Sequence, residues 1–221
     1  MAENIKLKVG VLISGNGSNL QSIIDACEDP NFPAELSIVI SNKAEAYGLG
    51  RAKKANIKTK VIEHQNFQHR SDFEKNITKA LINANVELVC LAGFMRILTD
   101  TFVYSWKDRL INVHPSLLPI FKGLNTHQRA IECGVKFSGC TIHFVSSSMD
   151  EGPIILQAAV PVHQNDTSKS LAERVLDAEH KLYPMAIRLF ANKKIWIEND
   201  LVKFTNIEDH NEILINPNIK N

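Results

Sequence analysis

Val9-Gly10-Val11-Leu12-Ile13-Ser14-Gly15-Asn16-Gly17-Ser18-Asn19-Leu20 passes from an apolar strand through a small-residue turn into a helical pattern. Leu20, Ile23, Ile24 and Cys27 fall on one helical face, so the stretch reads as strand, glycine loop, helix. Small residues at such a turn let backbone N–H groups approach an anion at the helix N-terminus, an arrangement suited to phosphate. Ser18 and Asn19 add side-chain donors, which suits one terminal phosphate on a small molecule. Glycines also serve tight turns that bind nothing, and only the position directly after the first strand brings phosphate level with that plainer reading. A dinucleotide site would want a third small residue where Leu20 stands and an acidic residue where Ser41-Asn42-Lys43 stands. Neither is present, and the lack of Gly-Lys-Ser or Gly-Lys-Thr argues against a nucleoside triphosphatase.

Outward from this loop the βαβ rhythm continues. Leu36 to Ile40, Thr59 to Ile62 and Val86 to Ala92 read as strands, and Phe73, Ile77 and Leu81 form the apolar face of an intervening helix. Near-continuous Val/Ile/Leu strands are buried on both sides, so the fold class is α/β: a Rossmann-like, doubly wound, mainly parallel sheet. After Asn112 the rhythm changes. Thr126 to Cys133 reads as a short helix, and Gly139 to Val145 and Ile154 to Val162 as strands joined by Ser146 to Pro153, so the sheet becomes mixed in the C-terminal half. A long helix starts near Ser168, with Ser170 and Glu173 as a capping box and Leu171, Val175, Ala178 and Leu182 as its apolar face. Pro184 should bend it or begin a second helix. Ile195 to Ile197 and Leu201 to Phe204 suit a hairpin. The expected organisation is one domain over 1–205, with a phosphate-binding half (1–108) and a catalytic half (109–205), followed by a loose tail over 206–221.

The chemistry is written in Asn112-Val113-His114-Pro115-Ser116-Leu117-Leu118-Pro119. In a strand, side chains at i and i+2 share a face, so Asn112 and His114 project together where Pro115 ends the strand. An amide N–H donor beside an imidazole suits acyl chemistry, in which an oxyanion is stabilised while a proton moves. Asp150 is placed downstream to tune the ring. Taken singly, His114 is more often a satisfied core histidine and Asp150 a turn residue beside Gly152 and Pro153. His127 and His143 read as buried histidines bonded to backbone and stay outside the catalytic set.

Charge nearly cancels, with 25 Lys plus Arg against 24 Asp plus Glu, so nothing attracts nucleic acid or an acidic membrane in general. The four cysteines form no Cys-x-x-Cys pair, and Cys90 lies in an apolar run, as expected of reduced, buried thiols. Met1 to Lys8 carries charge without a following apolar signal region, and no stretch approaches the ~18 apolar residues of a spanning helix. A cytoplasmic protein is expected, without contact to membrane or nucleic acid.

Taken in order, the glycine loop, Ala92-Gly93-Phe94-Met95-Arg96-Ile97-Leu98, the Asn112 to Pro119 run, and His143-Phe144-Val145 followed by Asp150 resemble the phosphoribosylglycinamide formyltransferases. The likeness runs from about Lys8 to Asp200. The Asn-x-His-Pro-Ser-Leu-Leu-Pro run is shared across folate-dependent formyltransferases and related hydrolases, and the glycine loop singles out the member. This resemblance implies transfer of the formyl group of 10-formyltetrahydrofolate, as co-substrate, to the amine of N1-(5-phospho-D-ribosyl)glycinamide in de novo purine biosynthesis, without metal or NAD. It further implies that Asn112, His114 and Asp150 are catalytic, that Gly17, Ser18, Asn19 and Glu179 bind the ribonucleotide, and that Arg70, Met95, Arg96, Ile97, Leu98 and Asn112 hold the folate. On their own, Met95, Ile97 and Leu98 would pass for core and the charged residues for solvated surface. A monomer or weak homodimer acting on small molecules is expected.

On that reading Asn112 and a charged His114 meet the developing oxyanion. Asp150 favours the charged ring and holds a water that relays the amine proton to the departing nitrogen. The family commonly has Tyr-Pro-Gly where Phe121-Lys122-Gly123 stands and His where Asn125 stands, and the loop Ser146 to Met149 is less acidic than usual. Neither of the first two departures is expected to touch the catalytic three. The alternatives are a 10-formyltetrahydrofolate hydrolase and, from another class, a non-catalytic folate or phosphate-ligand binding protein. A methionyl-tRNA formyltransferase would want a basic RNA-binding domain, and a Rossmann dehydrogenase fails at Leu20 and Lys43.

Overall fold

The structure, a computed structural model, describes residues 5–206 and 212–217. Its centre is a seven-stranded sheet ordered β3-β2-β1-β4-β5-β6-β7. These strands are β1 (Leu7–Ile13), β2 (Ala34–Ser41), β3 (Thr59–Val61), β4 (Leu88–Leu91), β5 (Leu110–His114), β6 (Phe137–Phe144) and β7 (Ile154–Pro161). Pairing is parallel from β3 through β5 and antiparallel from β5 to β7. The doubly wound sheet that turns mixed after Asn112 is therefore the one formed. The chain winds one way from β1 and then returns to add β4 on β1's other side, so a switch point opens above the carboxyl ends of β1 and β4, where such sheets bind ligands.

Two apolar layers sandwich the sheet because strand side chains alternate. Val9, Val11 and Ile13 face the layer that holds Leu20, Ile23 and Ile24 of α1 (Ser18–Glu28) and Leu171, Val175 and Ile187 of α6 (Ser168–Ala191). Leu12 faces the layer that holds Phe73, Ile77 and Leu81 of α3 (Arg70–Asn83) and Phe102 of α4 (Asp100–Ser105). Burying each such side chain contributes about 1.5–3 kcal/mol, which makes these faces the main reason the helices sit where they do. The remaining helices are α2 (Tyr47–Lys54) and α5 (Thr126–Glu132), and β8 (Ile195–Glu198) pairs with β9 (Leu201–Phe204) as an antiparallel hairpin.

Three local expectations need correction. α6 continues through Pro184, so no second helix begins there. A proline within a helix costs ~3 kcal/mol, but Tyr183, Ala186 and Ile187 on either side of it are completely buried, and their packing outweighs that cost. The capping box lies three residues earlier than the Ser170/Glu173 pair. Thr167 Oγ1 accepts from Ser170 N at 3.1 Å and Ser170 Oγ accepts from Thr167 N at 3.0 Å, while Glu173 only makes an exposed contact to Lys169. The buried stripe of α6 follows i, i+4 through Leu171, Val175, Glu179, Tyr183 and Ile187, with Ala178 and Leu182 on its flank. α2 and α4 escape the sequence pattern because they are short and α2 carries two glycines.

Of the tail expected over 206–221, residues 207–211 and 218–221 lie outside the described residues. Residues 212–215 carry no regular structure, and the Asn216 side chain donates to Lys136 O and Val162 O at 2.6 and 3.1 Å. Among the described residues no helix is long and apolar enough to cross a membrane.

Candidate active site

Every functional residue expected from the sequence, Arg70 excepted, lies in a loop or on an element gathered at the carboxyl ends of β1, β4 and β5. The glycine loop follows β1. Gly17 caps α1 with φ 71°, and a Cβ there would come within 2.8 Å of Gly48 Cα, so only glycine serves at this close approach of two backbones. Arg51 of α2 braces the loop from outside, its Nε donating to Asn16 O at 3.0 Å. A recess of about 380 Å³ lined by Ser18, Gln21, Ser22, Asp25, Arg51 and His180 opens beside it.

Asn19 and Glu179 meet although 160 residues separate them: Asn19 Nδ2 donates to Glu179 Oε2 at 2.6 Å. Burial pushes the Glu179 carboxyl up from its ordinary value, opposed by this hydrogen bond, and Asn19 Oδ1 is buried without a partner. One turn further along α6, Tyr183 donates its hydroxyl proton to Leu91 O at 2.9 Å, which pins the helix to β4 beside the site.

After β4 the chain leaves regular structure. Met95 N donates to Ser14 Oγ at 2.8 Å and Ser14 Oγ donates to Asn42 Oδ1 at 2.6 Å, so this segment is tied to the glycine loop's first residue. Met95 and Ile97 are about two-thirds exposed, at 68% and 66%, Arg96 is half-buried, and Leu98 is half-buried against the core layer of α3. Exposed apolar side chains beside a polar cleft suit a flat aromatic ligand. Arg70 is the exposed first residue of α3, and its side chain forms no hydrogen bond or ion pair among the described residues. The structure does not bring it to the others.

Asn112 and His114 close β5 on one face, as the i, i+2 spacing requires. Directly across the sheet, Asn112 pairs with His143 and His114 with Thr141 of β6. His143 Nδ1 lies 2.9 Å from Phe144 O, a group that can only accept, so the proton sits on Nδ1 and Nε2 is bare. Asn112 Nδ2 lies 3.2 Å from that Nε2 and must be the donor. Burial lowers the His143 pKa, which keeps this ring neutral and accepting. The sequence reading of His143 as bonded to backbone holds, but it missed that the same ring orients Asn112. The signal was available in the pairing of two adjacent polar strand positions.

His114 is 5% exposed. Its Nε2 donates to Phe121 O at 3.0 Å, and its Nδ1 lies 3.4 Å from Asp150 Oδ2. A neutral ring satisfies only one of these two acceptors and the charged ring both. Asp150, at φ 56°, also accepts from Gly123 N at 2.9 Å. Its approach requires Gly152, where a Cβ would lie 1.7 Å from Phe144 O. Against the sequence expectation, the segment Phe121-Lys122-Gly123, which departs from the family pattern at its first two residues, does touch the candidate pair His114 and Asp150, through backbone Phe121 O and Gly123 N. A backbone contact leaves the side chain free to vary, which is why the change of residue type carried no warning. Thr141 and Gln157 fix the turn after His114: Thr141 Oγ1 donates to Ser116 O at 2.7 Å and accepts from Leu118 N at 3.0 Å, and Gln157 Nε2 donates to Leu118 O at 2.9 Å.

The reading of His127 as bonded to backbone does not hold: its Nδ1 is buried without a hydrogen-bond partner among the described residues, and its pKa is lowered by burial first and then by His114. Among the described residues no group of three or more His, Cys, Asp or Glu could hold a metal ion. A half-buried donor amide and an imidazole against a carboxylate thus stand at the end of β5, two strands from the glycine loop, an arrangement able to stabilise an oxyanion and shuttle a proton.

The formyl transferase family model matches residues 7–187. The chain is 44% identical over 194 residues to the phosphoribosylglycinamide formyltransferase of Haemophilus influenzae, covering 88% of this chain and 92% of that protein. It is 51% identical over 190 residues to the human trifunctional purine biosynthetic protein adenosine-3, covering 86% of this chain but only 19% of that much longer relative. The crystal structure of glycinamide ribonucleotide transformylase 1 from Symbiobacterium toebii superposes with a TM-score of 0.90 at 44% identity, covering 92% of this chain and 96% of that one. The chain belongs to the formyl transferase family.

Proposed function

We propose that the protein transfers the formyl group of 10-formyltetrahydrofolate to the amine of N1-(5-phospho-D-ribosyl)glycinamide, as a step of purine biosynthesis. The observation that carries this reading is the grouping of Asn112, His114 and Asp150 at the carboxyl end of β5, two strands from the glycine loop that follows β1: His114 Nδ1 stands 3.4 Å from Asp150, and Asn112 is held with its amide nitrogen toward His143. The names of relatives that match this chain almost end to end support it.

The ribonucleotide phosphate sits on the N–H groups of Gly17, Ser18 and Asn19, and Glu179 receives the glycinamide end. The folate lies along Met95, Arg96, Ile97 and Leu98, with Arg70 reached by its outer portion. As the amine nitrogen bonds to the formyl carbon, negative charge grows on the formyl oxygen. The free N–H of Asn112 donates to it, and the charged His114 ring stabilises it with its Nδ1–H shared between Asp150 and the formyl oxygen; a preorganised donor is worth about 10²- to 10³-fold in rate. The Phe121 carbonyl holds the ring proton on Nε2, so Nδ1 is the nitrogen that works. Asp150 stabilises the charged ring and, through a water, carries the amine proton to the folate nitrogen as the carbon–nitrogen bond to folate breaks. The halves 1–108 and 109–205 act as one domain, as a monomer or weak homodimer in the cytoplasm. Four free thiols, with burial pushing Cys27 up to about 11 and Cys140 up to about 12, fit a reducing compartment.

Mass spectrometry of a reaction holding both substrates tests this: formylated ribonucleotide should appear in step with tetrahydrofolate. Free formate in place of that product would instead favour the hydrolase.

A further inference from the structure

We propose that Arg129 is a positioning residue for the reaction, acting through the loop 119–125 on both His114 and Asp150. This rests on the reading of those two residues as the catalytic pair. The loop performs two tasks: Phe121 O accepts from His114 Nε2 at 3.0 Å, and Gly123 N donates to Asp150 Oδ2 at 2.9 Å. Three of its residues lie in the left-handed region, Phe121, Gly123 and Asn125 at φ of 55°, 77° and 56°, and of these Phe121 is the strained one. A bulky residue in the left-handed region persists only where its surroundings over-determine it.

Arg129, on the first turns of α5, supplies that determination. Its Nη1 donates to Lys122 O at 2.6 Å and lies 3.4 Å from Leu124 O, and its guanidinium sits 5.4 Å from the centre of the Phe121 ring. The planar cation thus grips the residue that orients His114 and the carbonyls on both sides of the one that holds Asp150. A guanidinium suits this because it can stack and donate at once, whereas an ammonium cannot. Two other supports reach the loop: the half-buried Phe121 ring packs against the core layer of α6, and Lys122 pairs with Glu151 at 2.6 Å, an exposed pair of little strength. Ser116 Oγ donates to Ile120 O at 2.6 Å and anchors the loop's entry without reaching residues 121–124.

The test compares Arg129→Ala and Arg129→Lys in the full chain, by steady-state formyl transfer and by nitrogen NMR of the His114 ring, assigned by its disappearance in His114→Ala. A misplacement of about 1 Å costs about 10²-fold in a positioned reaction. In Arg129→Ala, kcat should fall by about that factor, with both KM values within about threefold, and the His114 ring should lose its fixed Nε2 proton for a mixture of tautomers. Arg129→Lys should recover part of kcat by holding a carbonyl. Arg129→Ala with kcat within about twofold of the parent and an unchanged ring signal overturns the proposal, as does a lysine variant that restores the melting temperature but none of kcat or the tautomer. If the parent transfers no formyl group, the catalytic reading fails, while the ring spectrum still decides whether Arg129 holds His114.

Discussion

Replacing His143 with Leu removes the acceptor that orients Asn112 while leaving Asn112 in place. The lost contact is the 3.2 Å hydrogen bond from Asn112 Nδ2 to His143 Nε2. A neutral hydrogen bond of this kind contributes about 0.5–1.5 kcal/mol net. With about 1.4 kcal/mol per factor of ten, an amide no longer biased toward the productive orientation lowers kcat by about 2- to 13-fold. The ceiling is loss of the donor itself, about 10²- to 10³-fold, the expected effect of Asn112→Ala. Because His143 acts only through Asn112, the double variant should be no slower than Asn112→Ala alone, a coupling that two independent contributions would not show. His143→Gln, whose carbonyl can accept the same hydrogen bond, should recover most of the rate. The assay is tetrahydrofolate release at saturating substrates for the parent and four variants. Penalties that multiply in the double variant, or an unaltered kcat in His143→Leu, would refute the reasoning.

Glu179→Gln should raise the melting temperature more at pH 8 than at pH 5. Burial raises the folded-state pKa, so the native carboxyl contributes stability below the unfolded value of 4.5 that is lost as pH rises through the folded one, and the amide removes that loss. Burial lowers His143 below 6.5, with the opposite sign: its contribution is present above pH 6.5 and lost as pH falls through the lowered value, so His143→Gln should flatten the acid side of a pH–stability curve. Gly17→Ala forces a side chain into φ 71° and against Gly48, which should cost at least about 1–2 kcal/mol in chemical denaturation and raise KM for the ribonucleotide while sparing that for the folate. Asp150→Asn keeps an acceptor for Gly123 N but removes the charge facing His114. Turnover should fall about 10²- to 10⁴-fold, and an unaltered turnover would remove Asp150 from the proton path.

Periodicity made the sheet legible. Val9, Val11 and Ile13 against Leu12 announce burial on two sides, and Leu20, Ile23 and Ile24 place the first helix on it. What periodicity could not resolve was local competition. Pro184 breaks helices by its own chemistry, and only the buried Tyr183 and Ile187 beside it show why α6 continues. The strand that carries Asn112 and His114 was legible because they obey its two-residue repeat, and the assignment of Asn19 and Glu179 to one substrate came from a resemblance, whereas their hydrogen bond to each other was not foreseen, since no local pattern links positions so far apart. Phe121 O, Gly123 N and Arg129 were hidden for another reason. They act through backbone groups, or upon them, and a backbone carbonyl has no residue type to read.

The formyl-transfer reading meets its most direct test in tetrahydrofolate release from 10-formyltetrahydrofolate, followed optically with and without the ribonucleotide, in the parent and in His114→Ala. Release that requires the ribonucleotide and is lost in the variant is the expected result. Release at the same rate without ribonucleotide, or undiminished in His114→Ala, would contradict it.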